Sequence, residues 1–120
     1  MVFLALAIPS FEDMMLPLLQ FLGDGKNHSI KEAEENLSDY FGLSGEERNK
    51  RKPSGNETLF HNRLHWAKFY LKNAGLVESP PRTNFKITTR GSNVLKEKLK
   101  KIDTKYLTQF QEFADFIKKK

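Results

Sequence analysis

The 120 residues contain no cysteine. Disulfides, thiolate metal sites and a cysteine nucleophile are excluded together, and a reducing, cytoplasmic setting fits. Long hydrophobic runs are missing as well. Residues 2–8 are apolar, but Glu12 and Asp13 follow too soon for a membrane span of about 20 apolar residues. No basic side chain precedes that run, as a secretory signal would require. It therefore reads as a lead-in that packs on the domain, with no membrane partner. Internal repeats and low-complexity linkers are absent. There is no glycine-rich phosphate loop either: Gly23-Asp24-Gly25-Lys26 lacks both the spacing and the following Ser or Thr. No cofactor site is legible.

What is present is a globular composition, 38% hydrophobic with ten phenylalanines, enough for one core. The formal net charge is +5, but it is unevenly spread. Residues 1–47 hold two basic and nine acidic side chains, a net −7. Residues 48–102 hold fourteen and three, a net +11, and 103–120 hold four and three, a net +1. A contiguous basic half attracts polyanions through its long-range field. The plainer reading of the same charge is a solvated, lysine-rich surface.

Helix starts are marked by serines with an acid three residues on, the pattern in which hydroxyl and carboxylate satisfy each other's backbone amides. Ser10 with Asp13 approximates it. Ser29 with Glu32, Ser44 with Glu47 and Ser54 with Glu57 match it. The spacing predicts helices over 11–22, with Pro17 inside, and over 30–41. It predicts a short helix over 45–51 and a long one over 55–74, closed by Gly75. Two short strands, 76–79 and 85–88, flank a hairpin tip at 80–84. A helix over 90–101, capped by Thr88 or Thr89, precedes a last one from Asp103 or Thr104 to Ile117. The fold class expected is mainly α with a small β-hairpin, a winged helix-turn-helix. Residues 1–101 form its DNA-binding domain. Residues 102–120 form a C-terminal helix, linker or dimerisation segment. In that fold the helix before the hairpin enters the major groove.

On that long helix Phe60, Leu64, Ala67, Leu71 and Ala74 form an apolar stripe. Leu59, Trp66 and Tyr70 widen it, and Trp66 reads as a packing anchor. The opposite arc holds Glu57, His61, Asn62, His65, Lys68, Lys72 and Asn73. Side chains near the amino end of such a helix approach bases, so Asn56, Thr58, His61, Asn62 and His65 are candidates for base reading. Lys68 and Lys72 suit phosphates. Basic groups flank the helix on both sides: Arg48, Lys50, Arg51 and Lys52 before it, and Arg82, Lys86 and Arg90 on or beside the hairpin. Arg51, Lys52, Arg82, Lys86 and Arg90 complete the candidate DNA-binding set. His61 and His65 are spaced as metal ligands. However, residues 61–65 read His-Asn-Arg-Leu-His without the glutamate of the His-Glu-x-x-His signature, and no third ligand is evident, so no metal is expected. Arg63 falls in the apolar arc, which predicts pairing with an acid from one of the first two helices. Phe69 falls in the polar arc, either packing beneath the hairpin or last helix or facing a partner.

Several short runs share a pattern. They are Pro17-Leu18-Leu19, His28-Ser29-Ile30-Lys31-Glu32, Phe41-Gly42-Leu43-Ser44, Glu46-Glu47-Arg48 and Pro53-Ser54-Gly55. Asn62-Arg63, Trp66-Ala67, Leu71, Ala74-Gly75-Leu76 and Ile87-Thr88-Thr89-Arg90-Gly91 complete the set. Together, over residues 9–95, the chain resembles the amino-terminal domain of Mrr-type restriction endonucleases. The resemblance implies a winged helix linked to nucleic-acid binding. In that family such a domain usually precedes a metal-dependent nuclease domain, in enzymes similar to modification-dependent restriction systems. Two features depart from it. The hairpin reads Arg82-Thr83-Asn84-Phe85 where the family commonly has Arg-Gly before an aromatic. The residues after Gly91 are too few for a nuclease fold.

The expected function is thus the DNA-binding module of an Mrr-like enzyme, docking one basic helix on double-stranded DNA, with modified DNA as a candidate target. No catalysis by this chain is expected: acids are not clustered with a lysine at a strand end, and no Ser-His-Asp set is legible. The alternatives are a protein-interaction or oligomerisation domain and a free-standing winged-helix transcriptional regulator. Tyr106, Phe110, Phe113 and Ile117, broadened by Leu107 and Ala114, place an apolar face on the last helix. This predicts a weak homodimer through 104–117, unless the domain's own first helix or a downstream domain covers the face.

Overall fold

The computed structural model describes residues 8–80 and 84–118. The lead-in over 2–7 and the hairpin tip with Arg82 lie outside the described residues. The chain is mainly helical with a small three-stranded antiparallel sheet.

Helix α1 (Phe11–Phe21) starts where the Ser10 hydroxyl accepts from the Asp13 amide at 3.1 Å. It runs through Pro17 and tightens into a 3-10 turn over Leu22–Asp24. A two-residue strand follows, β1 (His28–Ser29), which the sequence pattern had not suggested. Helices α2 (Ile30–Tyr40) and α3 (Gly45–Asn49) each open on a complete capping box. Ser29 and Ser44 accept from the amides of Glu32 and Glu47, and both carboxylates bond back at 2.8 Å. Helix α4 (Leu59–Asn73) is the longest. Gly75, at φ +77°, lets its end turn back, so that the Leu76 amide reaches the Leu71 carbonyl. Strands β2 (Val77–Glu78) and β3 (Asn84–Ile87) pair through Val77–Ile87 and Glu78–Lys86. β3 also pairs with β1, through His28–Phe85 and Ser29–Asn84, and so lies in the middle. Helices α5 (Thr89–Lys96), α6 (Thr104–Leu107) and α7 (Gln111–Lys118) follow.

One core joins these elements. Met14, Leu18 and Leu22 of the α1 segment meet Leu37 of α2, Leu64 and Leu71 of α4 and Phe85 of β3, all fully buried. Burying such a side chain stabilises by about 1.5–3 kcal/mol. Ile102, Leu107 and Phe113 belong to the same buried cluster, so the C-terminal segment packs on the body of the domain. Of the apolar face read on that segment, Phe113 is buried, Tyr106 and Phe110 are half-buried, and Ile117 is exposed.

Five local readings are corrected. The long helix begins at Leu59 rather than at residue 55, because Thr58 is its cap and accepts from the His61 amide at 3.0 Å. Ser54 instead donates to Asn56 Oδ1 at 2.8 Å, inside a tight turn closed by the Arg51–Thr58 bridge and by Lys52 N to Glu57 O. The helix placed over 90–101 stops at Lys96, where Lys98 turns to φ 55° and Ile102 folds back into the core. The last helix is broken. The amides of Thr108, Gln109 and Phe110 bond three residues back instead of four, while the Thr108 hydroxyl and Gln109 side chain take the carbonyls of Lys105 and Tyr106. Arg63 pairs with no acid among the described residues: it donates to the carbonyls of Ile8 and Pro9 at 3.0 and 3.2 Å. Trp66 is not core, being 43% exposed.

Candidate nucleic-acid interface

Helix α4 is pinned by Phe60, Leu64, Ala67 and Leu71, which face α1 and the core. The opposite face therefore points outward. It exposes His65, Trp66, Phe69 and Lys72, with His61, Asn62, Lys68 and Asn73 half-buried at its edges. From Leu59 to Asn73 the helix holds no Asp or Glu.

The candidate residues fall into two groups. One group is committed to the fold. Thr58 caps α4. The His61 ring is hydrogen-bonded to Glu34 and ties α4 to α2. Glu57 is held by Lys52 Nζ at 3.3 Å and by Asn62 Nδ2 at 3.3 Å. Arg90 donates to the Ala74 carbonyl at 2.9 Å and to Glu112 at 3.0 Å, with its guanidinium 5.0 Å above the centre of the Phe110 ring. The Arg90 hydrogen bond holds the Glu112 carboxyl below its ordinary value. Arg90 thus clamps the end of α4 to α7.

The second group faces solvent. Lys72 is exposed on α4, and Lys50 and Arg51 are exposed before it. Lys50 and Lys72 make no side-chain bond to another described residue. Among the described residues the Arg51 side chain donates only to the Gly55 carbonyl, at 3.2 Å. Asn56 is exposed at the turn, and Lys86 is half-buried on β3. Lys68 rides over the Phe85 ring, 4.8 Å from its centre, and burial, with the charge of Lys72, pulls its ammonium below the usual lysine value. His65 is exposed at one edge and its ring lies 4.3 Å from that of His61. Burial, then the charge of His61, lowers its tendency to take a proton. At neutral pH it is an imidazole that can donate and accept, not a cation.

The sequence pattern missed one feature, the pairing of Trp66 and Phe69 on the outward face. Their rings meet edge-to-face with centroids at 5.8 Å. Phe69 off the apolar stripe was the available signal, and the structure gives it both outcomes, contact with Phe116 of the last helix and 43% exposure. Among the described residues no group of three or more acids and histidines could hold a metal ion. None of the described helices is long and apolar enough to cross a membrane.

A family model described as the Mrr N-terminal domain matches residues 11–97, the span from α1 through α5. No curated protein and no solved structure matches the chain.

Proposed function

Because the chain belongs to the Mrr N-terminal domain family, we propose that it is the DNA-binding module of an Mrr-like restriction endonuclease. In this reading α4 docks in the major groove of duplex DNA, the β2–β3 hairpin serves as a wing, and modified DNA is among the targets. Cleavage belongs to another domain.

The observation that carries the proposal is the charge of α4 and its approach. The helix lacks acids, Lys72 stands exposed on its outward face, and the exposed Lys50 and Arg51 are held beside its first turn, where the Leu59 amide bonds to the Lys50 carbonyl and Arg51 bridges Thr58. A hairpin directly after the helix supports the winged arrangement. Asn56 and His65, exposed beside these cations, are the groups best placed to address base edges.

The net +11 of residues 48–102 overstates the field a phosphate meets. Lys52, Arg90 and Lys101 are paired with Glu57, Glu112 and Asp13, and Arg63 faces carbonyls. Of the other described cations, Lys50, Arg51 and Lys72, with the half-buried Lys68 and Lys86, lie on α4, on the segment before it or on the hairpin. Four to five phosphates neutralised give a slope of log affinity against log salt of about −4. Fluorescence anisotropy of a labelled duplex at several salt concentrations measures it. A flat response, or no binding at low salt, would overturn the proposal.

A further inference from the structure

The outward face of α4 carries a feature that phosphate binding does not use. His65, Trp66 and Phe69 line a shallow cavity of about 290 Å³. The Trp66 and Phe69 rings stand 81° apart, so they make a corner rather than a flat platform. A planar ring laid on one wall presents its edge to the other, and both contacts suit aromatic quadrupoles. The corner is braced from behind. Tyr70 lies 6.2 Å from Trp66 and Phe116 of α7 lies 5.4 Å from Phe69, centre to centre, both edge-on. Each wall of the corner thus has an aromatic neighbour of its own.

The charges around it select the occupant. Lys68 and Lys72 follow on the His65 edge of the same helix, which has no acid of its own. The acids of α7 are engaged elsewhere, Glu112 with Arg90 and Asp115 with Gln111. An apolar floor shaped for a flat ring, beside a cationic rim, matches a nucleotide: a base for the floor and a phosphate for the rim.

We propose that the His65–Trp66–Phe69 corner receives one unstacked nucleobase, with Lys72 on the adjoining phosphate. The inference rests on the DNA-binding reading. It adds that the preferred target carries an unpaired or extruded base.

Trp66 is the only tryptophan of the chain, so its emission reports the corner directly. The full chain is titrated at one salt concentration with a short oligothymidylate, with a fully paired duplex, and with the same duplex carrying one extra unpaired thymidine. Tryptophan emission and anisotropy of the labelled DNA are read in parallel. The expected result is quenching by the single strand and by the bulged duplex, with the bulged duplex bound about tenfold more tightly than the paired one. Phe69→Ala brings that ratio to about one. Phe69→Leu, which keeps an apolar side chain against Phe116 but removes the ring, does the same and separates ring chemistry from folding. Equal binding of paired and bulged duplex without quenching overturns the inference and leaves the DNA-binding reading standing. Failure to bind any of the three DNAs overturns both. An emission change that follows protein concentration without DNA, with a dimer mass in sedimentation, assigns the corner to a second copy and overturns the inference.

Discussion

Gly91 lies directly under the carbonyl of Leu76. A Cβ on Gly91 would stand 2.3 Å from that oxygen and 2.7 Å from Ile87 Cγ1. The same carbonyl accepts from the Thr88 amide at 3.0 Å, so it is fixed where α5 leaves the sheet. Backbone cannot swing aside as a side-chain tip can. Gly91→Ala should destabilise the chain by about 1–3 kcal/mol or more. Urea denaturation reads this as a lower midpoint, and an unchanged midpoint would contradict the packing described.

Arg90 sits next to Gly91 and was read from sequence as a DNA contact. Its bond to the buried Ala74 carbonyl also gives it a structural task. Arg90→Ala should cost about 1–3 kcal/mol, because that carbonyl loses its donor. The salt slope of DNA binding should stay the same. A stable variant with a flatter slope would return Arg90 to the interface.

Lys72 should behave in the opposite way. It is exposed and makes no bond to another described residue, so Lys72→Ala should change stability by less than about 0.5 kcal/mol. It should flatten the salt slope by about one unit and weaken different duplex sequences alike. A sequence-selective loss would mean that Lys72 addresses bases.

Tyr106 supplies a pH test. Burial, and then its 2.8 Å hydrogen bond to Glu97, push its hydroxyl up to about 12. The folded state holds this proton more tightly than the unfolded chain does. Its contribution to stability is whole below the ordinary tyrosine value of 10.0 and is lost as pH rises through about 12. Lysines also titrate in this window, so the comparison is with Tyr106→Phe. The gap in denaturation midpoint between the two proteins should close as pH rises from 10 to 12. A gap that stays constant would show that the hydroxyl proton is not linked to folding.

Ser29 and Ser44 show what local sequence can specify, because a hydroxyl and a carboxylate three residues apart decide a helix start within a single turn. Ser54 and Glu57 carry the same letters and fail. Thr58 competes as a cap, and Glu57 is drawn to Lys52 and Asn62. The apolar stripe from Phe60 to Leu71 was legible for the same reason as the caps: its period is a property of one helix. β1 was not, since two residues have no period and their strand character comes from pairing with Phe85 and Asn84 across the fold. The candidate site was legible as a helix and a charge block. Which cations are spent on partners was not, because Glu112 lies 22 residues from Arg90 and Glu34 lies 27 from His61.

The sheet has a consequence for assembly. β1 and β2 occupy its two edges, and each is two residues long among the described residues. An edge that short presents almost no open ladder of amides and carbonyls, so an incoming strand finds little to template on. Recruitment by strand addition is therefore disfavoured. A neighbouring domain or a second chain that docks on the described residues is expected to do so through side-chain contacts rather than by extending the sheet.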